Sequence, residues 1–507
     1  MISIATCVAV FVAAWLIKAI YHTTYWRRLN VPGPPSLPVL GCLWTTGWNT
    51  VCYSKIISEW SRKYGGCYGF QKGAVNFLVL SDPKLVKEVM VEKFNVFHSK
   101  REAPSHGEPD QIATVSVFSA GGKRWKRIRS ILNPAFSTKN LKRLMPTIYD
   151  AADRMVEHMD KRRVNGKSLD VTPFFFEMTL DMMLRVAFGQ DGSRQWQNPL
   201  ADELRYQFKN VNSLIMMLSW MFPSFWRPLY EIEQRMNMIS KRGVGAGIYK
   251  MGELIKERKK LKDAGEKSEG HEDFIDILLE NETTESQYEK TVVYNNVDAK
   301  VVKKMDITEI QYSCLIFLLA GPETTAVTMT FVTYYLAKYP EMQEKLRKEI
   351  EDVCVDPEPS YEQLAELKYA EIFVREALRL EPNASGAISR RCTQDTYLSN
   401  GVFVKAGTAI EIDAPTLHRN TEVWGEDANE FRPERYLEPS AIEQSYSFGG
   451  GPRICIGMRL ALLTEKILLV KLLRKYRFKM AADTDSFAYT GAFTYTVDRM
   501  NVLLEEL

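Results

Sequence analysis

The feature that most limits how this chain can fold is an apolar run that begins after Asp306 and meets no strong stop before Lys338-Tyr339-Pro340. Asp306, with Glu309 three residues on, predicts an N-cap and its capping-box partner. A helix over this span has about 32 residues and is near 48 Å long at 1.5 Å per residue. Few soluble helices are that long, so this one must cross the whole body. In its middle stands Ala320-Gly321-Pro322-Glu323-Thr324-Thr325. Gly, Pro and a threonine pair are poor choices for a helix interior. The proline removes one backbone bond and clashes with the preceding turn, at a cost of about 3 kcal/mol. Threonine can bond back to a carbonyl and bend the helix. The run predicts a local opening that admits water and a diatomic molecule, with Glu323 and Thr324 supplying a carboxylate and a hydroxyl to relay protons. A simple kink packed in the core is the competing reading.

Residues 448–457 read Phe-Gly-Gly-Gly-Pro-Arg-Ile-Cys-Ile-Gly, just ahead of an apolar helical run from Met458. Glycines let the chain turn sharply and approach a flat ligand closely. The backbone N–H groups so exposed can point at the Cys455 sulfur and tune a thiolate. Arg453 offers a charge to an anionic group on the same ligand. Such a loop suits an axial iron ligand in a heme site. A lone cysteine would be read as a buried one, but each position of F-x-x-G-x-R-x-C-x-G, including Phe448, has a separate job. The segment resembles the heme-binding loop of the cytochrome P-450 family, with every position of that pattern present. Ala320 to Thr325 likewise resembles the family's A-G-x-[DE]-T-[TS] oxygen-activation motif, with Pro322 an unusual residue at the variable position.

Further matches follow in family order. Trp125 and Arg129 resemble the W-x-x-x-R pair that binds heme propionates, with Arg453 as a third donor and Arg390 as a fourth; an exposed strand arginine is the competing reading for Arg390. Lys123, Arg124, Lys126 and Arg127 form a solvated face or a basic docking patch for an acidic electron donor. Glu376-Ala377-Leu378-Arg379 resembles the E-x-x-R helix motif. The same spacing at Glu59–Arg62 and Glu344–Arg347 reads as surface pairing. By resemblance, Arg435 in Pro433-Glu434-Arg435-Tyr436 completes a buried triad with Glu376 and Arg379 that supports the fold and the heme loop.

The chain has 507 residues, 66 basic and 63 acidic, for a net charge of +3, too near neutral to suggest nucleic acid. Its eight cysteines include no C-x-x-C pair, which fits neither a disulfide framework nor a zinc ribbon and points to a reducing compartment. Ile2 to Ile17 are almost wholly apolar, and Lys18 to Tyr21 continue the run. No basic residue precedes it and no small-x-small cleavage site follows, which argues against a cleaved signal peptide. Lys18, Arg27 and Arg28 come after it, so the positive-inside rule leaves the remainder in the cytosol. The sequence thus predicts a membrane anchor over 1–24, a basic and proline-rich hinge over 25–38 that acts as a semi-rigid spacer, and a heme-binding domain over 39–507. Under this topology the sequons at Asn281 and Asn383 stay unglycosylated.

Within the body, Cys67 to Leu80 predicts a hairpin turning at Lys72-Gly73, and Thr396 to Ile412 another, with Asn400-Gly401 as a type I′ turn signal. Residues 259–305, charge-rich and poor in large apolar groups, predict an exposed connection, and Arg258-Lys259-Lys260 a solvated charge run. Leu214 to Tyr230 reads either as core or as an apolar lid dipping into a bilayer. Gly243 to Gly247 fails the G-x-G-x-x-G spacing, so no dinucleotide site is expected.

The resemblance implies a mainly α fold with small β-sheets, holding heme b between the long helix and the cysteine loop, preceded by an N-terminal transmembrane helix. It resembles in particular the membrane-anchored microsomal members and the 3-type clan. It implies a monooxygenase of a lipophilic substrate at the endoplasmic reticulum membrane. Electrons would come from an NADPH–cytochrome reductase, with room for cytochrome b5, so that NADPH acts only indirectly. Two rivals stay open: a heme-thiolate isomerase or dehydratase of lipid peroxides, which needs no proton relay, and a non-catalytic heme sensor, which consumes no NADPH.

Overall fold

The computed structural model describes residues 4–47, 52–209, 213–240, 244–265, 273–283, 303–491 and 494–507. At its centre runs the helix Ile307–Lys338, 32 residues long. Asp306 accepts from the Glu309 N–H, and Glu309 accepts from the Asp306 N–H, closing the capping box. Among the described residues this is the one helix long and apolar enough to cross a membrane, and most of it is buried inside the protein. A helix apolar on all sides needs neighbours on all sides. Its main one is Thr172–Phe188, which buries Phe174, Phe175, Phe176, Met178, Met182 and Met183. Each such side chain contributes about 1.5–3 kcal/mol when fully buried. Thr138–Arg162, Val244–Asp263, Pro340–Val353, Lys368–Leu380 and Met458–Leu473 belong to the same helical body.

Small sheets flank it. Cys67–Lys72 and Val75–Leu80 form the expected antiparallel hairpin; Val75–Leu80 then pairs parallel with Ala409–Ile412, which pairs antiparallel with Ser389–Arg391. Asn501–Glu506 lies between Ser168–Asp170 and Tyr476–Met480. Near the C-terminus, Tyr489–Thr490 pairs with Thr496–Val497.

Several expectations need correction. Thr396–Tyr397 does pair with Phe403–Val404, but Ala409–Ile412 leaves that hairpin for the larger sheet. Its turn is not type I′, which needs positive φ at both central residues. Positive φ falls on Gly401 (+83°) alone, while the Asn400 side chain accepts from the Val402 N–H at 3.2 Å. The span 259–305 is no simple exposed connection, because helix Phe274–Leu279 buries Phe274, Ile275, Leu278 and Leu279. Arg258 is not solvated either: it donates to Asp273 at 2.9 Å, and Lys259 pairs with Glu282. Residues 266–272 and 284–302 of that span lie outside the described residues. Arg347, expected at the surface, is buried and donates to the Leu473 and Tyr476 carbonyls.

The N-terminal run forms the helix Ile4–Thr23, which exposes Val10, Trp15, Ile17, Ile20 and Tyr21. The stretch read as a spacer does not stand off from the body. Trp26 is buried, donates to the Phe70 carbonyl at 3.0 Å, and lies flat on Gly69, where any Cβ would come within 2.2 Å of the indole. The Gly69 N–H donates to the Pro32 carbonyl at 2.8 Å. Leu214–Tyr230 is divided: Met216 and Trp220 are buried, Leu214 and Phe225 are exposed, and Phe222 stacks on Trp15 with ring centroids 6.4 Å apart.

The basic residues around Trp125 divide as well, on the helix Gly122–Leu132. Lys123 is exposed, but Arg124 and Arg127, three apart on the inner face, are buried around Glu309. Arg124 Nε donates to it at 2.8 Å, and Arg127 Nη1 and Nη2 at 2.9 and 2.8 Å. This cluster fixes the start of the long helix against the helix that carries Trp125. Glu309→Ala would leave two buried guanidiniums without their carboxylate. It should cost about 3–5 kcal/mol, the range for breaking one partner out of a buried pair, measured by chemical denaturation.

Candidate active site

The cysteine loop is closed by its own backbone. The Cys455 N–H donates to the Phe448 carbonyl at 2.9 Å, and Gly449 N–H to Tyr446 O at 2.8 Å. Gly451 takes φ +63° with its Cα facing Met90 O, where a Cβ would come within 2.0 Å. Solvent reaches Cys455, yet protein surrounds it closely enough that burial dominates and pushes the thiol up. Opposing that, the backbone N–H groups of Gly457 and Met458 and the charges of Arg129 and Lys100 favour the thiolate. Phe136 links this loop to the long helix. Its ring lies 3.9 Å from where a Cβ on Gly457 would sit, and its centroid is 5.7 Å from that of Phe317.

Cations gather on this side. Arg453 donates to the His98 carbonyl at 2.6 Å, to Phe118 O at 3.2 Å and to Ala120 O, with its guanidinium 4.8 Å from the Trp125 ring centre. Trp125 is buried edge-on to Phe94, with centroids 5.6 Å apart. Arg390 is buried, not an exposed strand residue. It donates to Gly450 O at 3.0 Å and to Ser389 O at 2.9 Å, while its Nε has no partner among the described residues. Burial pulls its guanidinium down to about 10. Arg129, half-buried, donates to Asn133 at 3.0 Å. Sequence reasoning missed Lys100. Burial holds it well below its usual range, and it lies near Arg390, Arg453 and Cys455, with its ammonium 3.6 Å from the Phe118 ring centre. His98 was missed too: its Nδ1 accepts from the Gly122 N–H at 3.0 Å and so secures the helix that carries Trp125 and Arg129.

Three groups support the loop from behind. Glu376 accepts from Arg379 at 2.7 and 2.8 Å, from Arg435 at 2.9 Å and from the Arg432 N–H at 2.8 Å. Other guanidinium hydrogens go to the carbonyls of His418, Trp424, Asp427, Ala428 and Glu430, and Arg435 also pairs with the Asp427 carboxylate at 3.4 Å. The cluster reaches the cysteine loop through His418, which no motif flagged. One ring nitrogen lies 3.1 Å from the Arg379 carbonyl, and the other accepts from the Tyr446 N–H at 3.0 Å. Burial drives this imidazole down to about 3, so it is neutral and can accept.

In the long helix, the backbone stays helical through Gly321-Pro322. The Pro322 carbonyl accepts from the Thr179 hydroxyl at 2.8 Å, and a Cβ on Gly321 would overlap Met183. Ala320 is exposed and Gly321 and Thr324 half-buried within an otherwise buried stretch. The Thr324 hydroxyl donates back to Ala320 O at 2.9 Å. The Thr324 carbonyl accepts from Thr328 at 2.8 Å and from Asn383 at 3.0 Å. Glu323 is buried elsewhere, accepting from the Thr494 hydroxyl at 2.9 Å, and burial lifts its carboxyl to about 8. The two side chains therefore have separate partners. Asn383, read from sequence only as a sequon, is buried.

Comparison with known proteins agrees with this arrangement. Residues 31–492 match the family model of cytochrome P450. The chain belongs to that family. It is 36% identical to a candidate cytochrome P450 of Caenorhabditis elegans, CYP13A1, over 94% of this chain and 93% of the relative. It is 35% identical to another, CYP13A10, over 91% of each. As a cytochrome P450 it is a monooxygenase with heme as cofactor, and its mainly helical body with small sheets agrees with that fold. The residues present fit the group: a sulfur with N–H donors behind it, and Arg390, Arg453, Lys100 and Arg129 around it. The buried, unpartnered Arg390 Nε is a donor that a propionate would satisfy, since an unpaired buried charge is costly.

Glu376→Gln removes the charge that holds Arg379 and Arg435. It should cost about 3–5 kcal/mol and lower the yield of heme-loaded protein, measured by the ratio of heme to protein absorbance. Glu323 gives a pH signature. Its folded pKa, about 8, lies above the unfolded carboxyl value, so the stability it contributes is full below about pH 4.5 and is lost as pH rises toward 8. Urea midpoints of Glu323→Gln should match wild type near pH 4.5 and exceed it above pH 8.

Proposed function

We propose that the chain inserts one atom of dioxygen into a lipophilic substrate, with Cys455 as the axial ligand of heme b. The observation that carries this reading is the closed loop around Cys455, with backbone N–H groups aimed at the sulfur and cations beside it. Heme bound there supplies the splitting of dioxygen, which takes two electrons and two protons and leaves water as the second product. The chain's own residues do the remainder. Backbone donors from Gly457 and Met458 temper the thiolate, so that it stays a ligand without being protonated. Arg453, Arg390, Trp125 and Arg129 hold the propionates, joined by Lys100, and Phe448 closes the loop with its carbonyl. Glu323 and Thr324 hold the protons the reaction consumes. Glu376, Arg379 and Arg435 keep the loop in place.

Electrons come from an NADPH–cytochrome reductase, with room for cytochrome b5. In support, the glycines at 245 and 247 lie within the helix Val244–Asp263 and form no dinucleotide loop; Gly243 lies outside the described residues. Residues 1–24 anchor the protein in the endoplasmic reticulum membrane with 25–507 cytosolic. The exposed apolar side chains of Ile4–Thr23, the exposed Leu214 and Phe225, and the stacking of Phe222 on Trp15 support membrane contact. A lipophilic substrate would enter from there.

The deciding experiment is the CO difference spectrum of the reduced protein. A strongly red-shifted Soret band is expected, and Cys455→Ser should abolish it. A wild-type band at the position typical of histidine or neutral thiol ligation would overturn the reading.

A further inference from the structure

Nothing on the long helix holds the Glu323 carboxyl. Successive side chains leave a helix about 100° apart, and Thr324 next to it bonds back to its own helix. The partner of Glu323 comes from 171 residues away, where the Thr494 hydroxyl donates to it inside the protein. Thr494 directly precedes Tyr495, whose N–H donates to the Asn383 carbonyl at 2.9 Å. The Asn383 amide in turn donates to the Thr324 carbonyl and to the Thr328 hydroxyl, each at 3.0 Å. Two consecutive residues at the head of strand Thr496–Val497 thus reach both members of the Glu323–Thr324 pair, one directly and one through Asn383.

We propose that Thr494 is a positioning residue for proton delivery: it holds the Glu323 carboxyl in place while Asn383 braces the adjoining Thr324 turn. This rests on the monooxygenase reading given above. The choice of a hydroxyl is the chemical argument. An arginine or lysine at this position would draw the proton off the acid and fix it as a carboxylate. A neutral donor satisfies one oxygen of a buried acid and leaves its proton available. Among the described residues no charged group is a cause of the Glu323 shift; burial raises it and the Thr494 hydrogen bond moderates it.

Infrared spectra of the resting, heme-loaded protein test this without turnover. A carbonyl stretch of a protonated carboxyl that disappears in Glu323→Gln belongs to Glu323. Thr494→Val should move that band to higher frequency and raise its titration midpoint, and Thr494→Ser should restore both. During turnover the valine variant should release several-fold more hydrogen peroxide per NADPH, and the serine variant should stay near wild type. Should valine not yield folded protein, Thr494→Ala serves for the same comparison. An unmoved band in the valine or alanine variant, or no Glu323 band at neutral pH, overturns the proposal. So does a moved band with unchanged peroxide release, which would leave Thr494 a purely structural partner. The CO spectrum of the same samples keeps the two ideas apart: a thiolate band with an unmoved carboxyl band defeats only this inference.

Discussion

One buried carboxylate, Glu376, ties together the segments that support the cysteine loop. It receives four hydrogen bonds from two guanidiniums and a backbone N–H. Those guanidiniums also donate to carbonyls between His418 and Glu430 and to the Asp427 carboxylate. That segment has little regular structure of its own, so its polar backbone needs partners of this kind if it is to be buried. His418 then hands the order on to Tyr446 and the cysteine loop. Low local dielectric strengthens each bond in such a network and makes each loss expensive. The loop is thus held in shape from outside, by residues that never face the sulfur.

The protein treats positive charge in two opposite ways on neighbouring elements. Arg124 and Arg127 are buried with a carboxylate between them. Arg390 is buried against carbonyls, and Lys100 sits on an aromatic face and donates to the Ala387 carbonyl at 2.8 Å. The first arrangement locks two helices together. The second concentrates charge next to Cys455, where an anionic ligand would complete it. A carboxylate partner in the first case, and carbonyl or ring partners in the second, separate the two kinds of cation on physical grounds.

What was legible in the sequence is what local spacing encodes. Asp306 and Glu309 announce the start of the long helix because a capping box is a three-residue event. The glycines, Arg453 and Cys455 lie within one ten-residue loop, and Glu376 and Arg379 occupy one helical turn. What the sequence hid depends on distant contact. His418 looks like any histidine until Arg379 and Tyr446 meet at its two nitrogens. Lys100, Asn383 and Thr494 acquire their meaning from partners far along the chain. Arg124 and Arg127 sit among lysines and read as surface, because charge alone does not reveal that position 309 brings a carboxylate to meet them. The turn at Asn400-Gly401 shows the same limit on a smaller scale: the Asn400 side chain bonds to the Val402 N–H, and of the two left-handed positions the sequence predicts only Gly401 takes one.

The seat of Trp26 on the bare backbone of Gly69 fixes where the folded body truly begins. Its indole covers the first strand and donates to Phe70, and Pro32 follows with a bond to Gly69 itself. The Gln71 amide also reaches the His22 carbonyl at 2.7 Å. A version of the protein shortened at its N-terminus is therefore bounded by packing and not by composition. A chain that starts at His22 sheds nearly all of the apolar helix and keeps every one of these contacts. One that starts at Leu29, three residues ahead of the first proline, uncovers a strip of sheet shaped for a ring that is gone.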